Sequence, residues 1–322
     1  MSVGVNIKRR RYELHMSQQE LAEMLGYKTR STIAKIESGE NDISQKKLQR
    51  FAEALDTTAE ALLTGIHSSY PAPGIPDASV IPVNSPADSN RTVAVILAGG
   101  KSVRNHQNIP NQFINISGKP VIVYCLEAYQ AHPAINDIYI VCLKGWEKIV
   151  NAYAEQFHIT KLRGLIPAAT SGILSVQNGL EFIKNRYSDD DIIVFQESTR
   201  PMVSADMISK LLQSCYENDS ATICQSMKDY VQFVYTDGKA RYVDRNTAVS
   251  LQSPEAYRFR IIKEVFETAK KQQHPLTESC CVMLMYNLGF DINFIEGSIN
   301  NIKIVRQEDI AIFTSIMKKE LL

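Results

Sequence analysis

Five of the chain's twelve prolines fall between residues 67 and 90, and that stretch limits the possible folds more than any other. It reads HSSYPAPGIPDASVIPVNSPADSN, with Pro71, Pro73, Pro76, Pro82 and Pro86 set among Ser, Asp and Gly. Proline removes a backbone donor and small polar side chains bury little, so neither a helix nor a sheet runs through it. The expectation is a semi-extended linker over 67–91, between a unit at 1–66 and a larger one at 92–322. A length of 322 residues suits two domains. The hydrophobic spacing also changes across the linker, from a helical period to short strands alternating with helices.

Before the linker, Ile7, Leu14, Leu21, Ala22, Leu25, Ile33 and Ile36 recur at helical spacing from about Asn6. Ser17 with Glu20 three residues on predicts a capping box, and Gly26 predicts a left-handed helix end. A second short helix starts at Arg30 or Ser31 and stops at Gly39. A fourth follows Ser44, turning Leu48, Phe51, Ala52 and Leu55 inward, and a fifth covers 58–63. Two short helices across a tight turn, inside an all-α five-helix bundle, make a helix-turn-helix arrangement.

The stretch MSQQELAEMLGYKTRSTIAKIESGE closely resembles the lambda-repressor/Cro-like family, over residues 6–65. The resemblance implies a double-stranded DNA operator, with the helix from Arg30 or Ser31 in the major groove. Gln18 would touch a phosphate. Lys28, Arg30, Ser31, Thr32 and Lys35 would contact bases and backbone. Two bundles are needed to span two half-sites, which implies a homodimer. Residues 1–66 hold ten Lys/Arg against nine Asp/Glu, so positive potential is local, at 8–11 and 28–35. Use of the same bundle for protein–protein contact stays open.

After the linker, strands are predicted over 93–97, 138–143 and 192–195, and helices over 120–131, 146–156, 175–185 and 205–216. This alternation predicts an α/β three-layer unit with a mostly parallel sheet. Ligands in such sheets lie beyond the C-terminal strand ends, and the first such end is Ala98-Gly99-Gly100. Glycine lets backbone N–H groups approach phosphate oxygens without obstruction by a Cβ.

The series L-A-G-G-K-x-x-R, P-N-Q-F, G-K-P, S-V-x-N-G-L, Q-E-S-T-R-P, V-D-R-N, S-P-E, L-T-E-S and N-I-K-I resembles the cytidylyltransferases that activate methylerythritol phosphate or ribitol phosphate, the ribitol branch more nearly. These have the nucleotide-diphospho-sugar transferase-like fold. The resemblance implies binding of CTP or a related nucleotide and a polyol phosphate. The phosphate of the polyol attacks the α-phosphorus and pyrophosphate leaves, with Mg²⁺ when nucleotide is bound. On this reading Ala98, Gly99, Gly100 and Lys101 cradle phosphates, and Ser171, Gly172 and Ser175 lie at the cytosine. Arg104 and Lys303 are the family's cations. Arg200, Ser253 and Glu278 meet the polyol phosphate, and Glu197 meets the metal. Arg245 reaches a neighbouring subunit from a hairpin arm over 230–245 turning at Asp237-Gly238, which makes the family a dimer.

Departures from the pattern cluster in the chemistry. Asn111 replaces the P-K-Q lysine, Ser102 a loop glycine, and Gln196-Glu197 a His-Asp pair. Pro167-Ala168 stands in the nucleotide segment, Gly172 where arginine is usual, Glu255 in the T-P-Q turn, and Tyr230 and Glu278 in place of threonine and aspartate. One lost transition-state donor costs roughly 10²- to 10³-fold in rate. The expectation is therefore a DNA-binding transcriptional regulator whose second unit binds ligand and dimerises with catalysis lost or strongly reduced. The alternative is an active nucleotidyltransferase with an appended DNA-binding unit. A net charge of zero points to no anionic membrane, and no apolar run is long enough to span one. Six cysteines without a C-x-x-C pair read as reduced thiols in the cytoplasm.

Overall fold

The computed structural model describes residues 3–14, 16–27, 29–41, 43–55, 57–64, 90–101 and 109–320. The expected linker falls almost wholly outside them, as do Lys28 and Arg104.

The N-terminal unit consists of α1 (Val3–Glu13), α2 (Gln18–Met24), α3 (Arg30–Glu37), α4 (Gln45–Ala54) and α5 (Ala59–Thr64). The capping box sets the start of α2: Ser17 Oγ accepts from the Glu20 N–H at 3.2 Å, and Glu20 accepts from the Ser17 N–H at 2.6 Å. Gly26 closes the turn with φ +76°. Ile7, Leu21, Ile33, Phe51, Leu55 and Leu62 form the core. α1 begins earlier than its periodicity predicts. A Cβ on Gly4 would lie 2.1 Å from the Ile36 carbonyl oxygen, so a glycine that weakens the helix locally is what lets α1 approach α3. Beneath the bundle, Arg11 and Glu37 form a bidentate ion pair at 2.7 and 3.0 Å, both side chains buried.

The second unit runs β1 (Thr92–Ala98), β2 (Asn115–Ile116), β3 (Lys119–Pro120), α6 (Val121–Ala131), β4 (Asp137–Cys142), α7 (Glu147–Gln156), β5 (Leu162–Pro167), α8 (Gly172–Ile183) and β6 (Ile192–Glu197). It continues with α9 (Ala205–Asn218), β7 (Ser220–Ser226), β8 (Gln232–Thr236), β9 (Lys239–Val243), β10 (Val249–Arg258), α10 (Phe259–Lys271), α11 (Cys281–Leu288), β11 (Phe294–Glu296) and α12 (Gln307–Glu320).

Seven strands form one sheet in the order β11-β7-β10-β6-β1-β4-β5. All neighbours are parallel except β10, which is antiparallel to both β6 and β7. β1 is apolar from Val93 to Ala98, as expected of a strand covered by helices on both faces of the sheet. Ile96, Ile138, Ile140 and Val194 face one core, and Val93, Val95, Tyr139 and Phe195 the other. α8 starts three residues before the predicted helix, because Ser171 Oγ accepts from the Leu174 N–H and caps it. β8 and β9 form a separate hairpin whose turn residues Asp237 and Gly238 have φ of +53° and +73°. That is the two-residue turn expected at Asp-Gly.

Candidate functional site

A cavity of about 700 Å³ opens at the C-terminal ends of the parallel strands. Its floor is the loop after β1. A Cβ on Gly99 would come within 2.5 Å of Ala168 Cβ, so the end of β5 can press against this loop only because residue 99 is glycine. Gln112 holds the loop from below: its Nε2 donates to the carbonyls of Ala98 at 2.9 Å and Gly100 at 2.8 Å. Gln112 escaped the candidate set, although it sits inside the quoted P-N-Q-F segment.

Asn111 lines the cavity but is buried. Its Nδ2 donates to the carbonyls of Val305 at 3.0 Å and Ile304 at 3.3 Å. The amide thus ties the loop before β2 to the segment carrying Lys303. Lys303 Nζ pairs with Glu197 Oε1, and Arg200 Nε meets Glu197 Oε2 at 2.8 Å. Arg200 Nη1 also donates to the Asn301 carbonyl at 2.7 Å. Burial pulls the Glu197 carboxyl upward, but Lys303 and Arg200 outweigh it and hold the group below the usual carboxylate range. Both Glu197 oxygens are therefore committed to cations. No cluster of three or more metal-ligating side chains exists among the described residues. This donor set does not fit a Mg²⁺ held by the protein.

On the β10 side, Ser253 Oγ accepts from the Glu197 N–H at 3.1 Å. Asn301, fully buried and also outside the candidate set, donates to the Ser253 carbonyl at 2.8 Å. Glu255 reaches the cavity wall and accepts from the Tyr257 hydroxyl at 2.9 Å. Burial pushes its carboxyl up to about 7, and hydrogen bonds from Tyr257 and from the Cys281 and Val282 N–H groups only partly offset the rise.

On the β5 side, Ser175 Oγ accepts from the Ala169 N–H at 3.1 Å, which fixes the rim beside α8. Gly172 lines this rim, and a Cβ there would lie 2.9 Å from the Ser279 carbonyl oxygen. The loop before α11 thus crosses where an arginine stem would emerge.

The cavity brings together Gly99, Gly100, Lys101, Asn111, Ser171, Gly172, Ser175, Glu197, Arg200, Ser253 and Lys303, and Ala98 supplies its carbonyl to Gln112 beneath them. Two expected substrate residues lie outside it. Glu278 meets His274 Nε2 at 2.5 Å, Asn287 Nδ2 at 2.9 Å and the Thr277 N–H at 3.0 Å. Arg245 stands exposed beyond β9, on a hairpin that also exposes Val231, Phe233, Val234, Tyr235 and Tyr242.

In the N-terminal unit, Arg30, Ser31 and Lys35 are exposed on α3 and Thr32 is half-buried. Gln18 opens α2, with its Nε2 donating to Glu37 Oε2 at 2.8 Å. The buried Arg11–Glu37 pair therefore holds Gln18, at the start of α2, against the C-terminal end of α3.

Residues 7–62 match the helix-turn-helix family model, and residues 92–319 match that of 2-C-methyl-D-erythritol 4-phosphate cytidylyltransferase. A ribitol-5-phosphate cytidylyltransferase of Lacticaseibacillus paracasei is 29% identical over 229 residues, 70% of this chain and 98% of the relative. A 2-C-methyl-D-erythritol 4-phosphate cytidylyltransferase of Syntrophus aciditrophicus is 29% identical over 71% of this chain and 97% of its own length. Among solved structures, 4-diphosphocytidyl-2C-methyl-D-erythritol synthase of Anaerococcus prevotii superposes with a TM-score of 0.61 at 20% identity, over 71% of this chain and 96% of its own. At that identity the likeness shows the fold alone.

Proposed function

We propose that this chain, which belongs to the 2-C-methyl-D-erythritol 4-phosphate cytidylyltransferase family through residues 92–319, acts as a cytoplasmic DNA-binding transcriptional regulator. Its family unit binds a cytidine nucleotide or polyol phosphate and supplies the homodimer, with turnover strongly reduced. One observation carries the reading: the cavity survives, while two positions expected to be basic have been built into the scaffold. Asn111 is bonded into the Ile304 and Val305 carbonyls, and Gly172 is crowded by Ser279. In this reaction the attacking phosphate is already an anion, so catalysis depends on charges that stabilise the spreading negative charge.

The exposed apolar hairpin supports a dimer, with Arg245 reaching the partner's cavity. α3, with Arg30, Ser31, Thr32 and Lys35, supports insertion into a major groove, and a pair of bundles supports a two-fold symmetric operator. Mg²⁺ would arrive on ligand phosphates, since Glu197 is occupied by Lys303 and Arg200. Ligand control requires that the ligand bind DNA-competent and DNA-incompetent states differently. The test is selection of bound sequences from a random DNA pool, followed by titration with and without CTP and ribitol 5-phosphate. Enrichment of a two-fold symmetric site is expected. Absence of any enriched sequence would remove the regulator.

Retention of Lys303 and Arg200, together with relatives named as cytidylyltransferases, favours a second reading, an active enzyme with an appended DNA-binding unit. That reading requires pyrophosphate release from CTP and ribitol 5-phosphate. A null result with polyol phosphates of several lengths would exclude it.

A further inference from the structure

The short helix α5 belongs to two cores. It is built into the DNA-binding bundle at both ends: Thr58 Oγ1 accepts from the Ala61 N–H at 3.1 Å, and Asn6 Nδ2 of α1 donates to the Leu62 carbonyl at 2.9 Å. α5 packs against both α1 and α4, so it is part of the bundle and not of the linker. Successive residues of an α-helix point about 100° apart. Leu62 accordingly fills the core of the bundle, whereas Leu63 turns aside and packs against both that core and the core of the second unit. The element that α5 meets there is α7, with Ile149, Val150, Tyr153 and Ala154 buried.

α7 is itself braced on the cavity. Its N-terminal flank is Trp146, whose ring stacks on Phe113 with centroids 4.2 Å apart. Phe113 follows directly on Asn111 and Gln112, which hold the Ile304–Val305 segment and the glycine loop. The bundle thus rests on a helix fixed to the cavity floor. The contact covers neither surface that the proposed function uses. Arg30, Ser31 and Lys35 stay exposed on α3. Phe233, Tyr235 and Tyr242 stay exposed on the β8–β9 hairpin, which leaves the sheet between β7 and β10, while α7 joins β4 to β5 at the opposite end.

We propose that α7 is a docking surface for the chain's own DNA-binding bundle, engaged through Leu63 of α5, and that this contact, not the span of the linker, sets where α3 is held. The consequence for DNA rests on the regulator reading above. In a dimer, two docked bundles stand at a fixed separation, so a two-fold symmetric site gains from both half-sites at once.

The test is amide NMR relaxation of the full chain, of the L63E variant, and of a chain with about ten Gly and Ser residues inserted after Val80. The parent and the lengthened chain are expected to show one tumbling time, shared by α1–α4 and the second unit. L63E, with α1–α3 still protected from exchange, is expected to show a shorter time for the bundle. A bundle that tumbles independently in the parent, or that the longer linker frees, would overturn the docking, and both measurements stand even if L63E unfolds the bundle. DNA enriched by the selection described above gives the second readout. L63E is expected to bind a duplex with two half-sites at least about tenfold more weakly than the parent and a single half-site equally, while the lengthened chain matches the parent on both. A freed bundle that binds both duplexes as the parent does would overturn the placement of α3 and leave the regulator reading standing. Failure to enrich any DNA would remove the regulator and the consequence for DNA, and the tumbling times would still decide the docking.

Discussion

Glu255→Gln gives the most direct measure of how this cavity is built. Glu255 is buried, and burial moves its carboxyl from an ordinary 4.5 up to about 7. Between those values the folded protein holds a proton that the unfolded chain has released. Stability therefore falls as pH rises through the window, and the loss is complete above pH 7. At 1.36 kcal/mol per unit the loss is roughly 3 kcal/mol, an order-of-magnitude figure. Glutamine keeps the size and an acceptor oxygen for Tyr257 and the α11 N–H groups, but does not titrate.

The variant should exceed the parent by less than about 1 kcal/mol at pH 5 and by roughly 3 kcal/mol at pH 8. Urea unfolding followed by tryptophan fluorescence reads this unit alone. Trp146 is the chain's single tryptophan, buried and stacked on Phe113 with ring centroids 4.2 Å apart. His132, lowered by burial and then by Lys161, gives the opposite slope, with stability gained as pH rises towards 6.5. It is shared by both proteins and cancels in the comparison. Glu197 sits below its ordinary value, so its contribution is lost only in acid, outside the window. A stability difference that stays the same at pH 5 and pH 8 would refute the argument.

Three further outcomes are expected. Arg11→Ala leaves Glu37 charged and unpaired in the bundle, at a cost of about 3–5 kcal/mol, and should abolish amide exchange protection across α1 to α3 while α6 and α8 keep theirs. Unchanged protection in α1 to α3 would contradict it. Gly172→Arg, which reinstates a cation by sequence, should destabilise by about 1–3 kcal/mol through the clash with the Ser279 carbonyl and yield no added pyrophosphate release. A stable, more active variant would show that the loop before α11 yields easily. Lys35→Ala should weaken binding to all DNA sequences alike and lower the slope of log K against log salt by about 1, whereas Arg30→Ala should change sequence preference if Arg30 reads a base. Salt slopes equal to the parent's would remove Lys35 from the interface.

Features set by neighbours in sequence are legible in the sequence. The Ser17–Glu20 capping box, the Asp237-Gly238 turn and the Ala98-Gly99-Gly100 break after an apolar strand each follow from chemistry within a few residues. So does the mostly parallel sheet, because β1, β4 and β6 read as apolar runs between helices. The insertion of β10 between β6 and β7 does not follow, since pairing of Glu255 with Phe195 on one side and Thr222 on the other is a long-range choice.

The same division separates residue type from placement at the site. That Asn111 lacks a charge is plain from its residue type. That it joins two loops is not, because its partners Ile304 and Val305 lie 193 and 194 positions away. Gly172 reads as a missing arginine, yet the Ser279 carbonyl that a side chain there would crowd comes from a loop more than a hundred residues later. Glu278, expected at the polyol phosphate, lies outside the cavity lining and is hydrogen-bonded by His274 and Asn287. Asn111 and Gly172 each meet a structural neighbour distant in sequence, whereas the partners of Glu278 are local. An arginine at 172 meets the Ser279 carbonyl, and a lysine at 111 removes the amide bonded to Ile304 and Val305. On the proposed reading, a substitution at residue 172 or 111 that raises turnover also requires the loop before α11 or the Ile304–Val305 segment to shift.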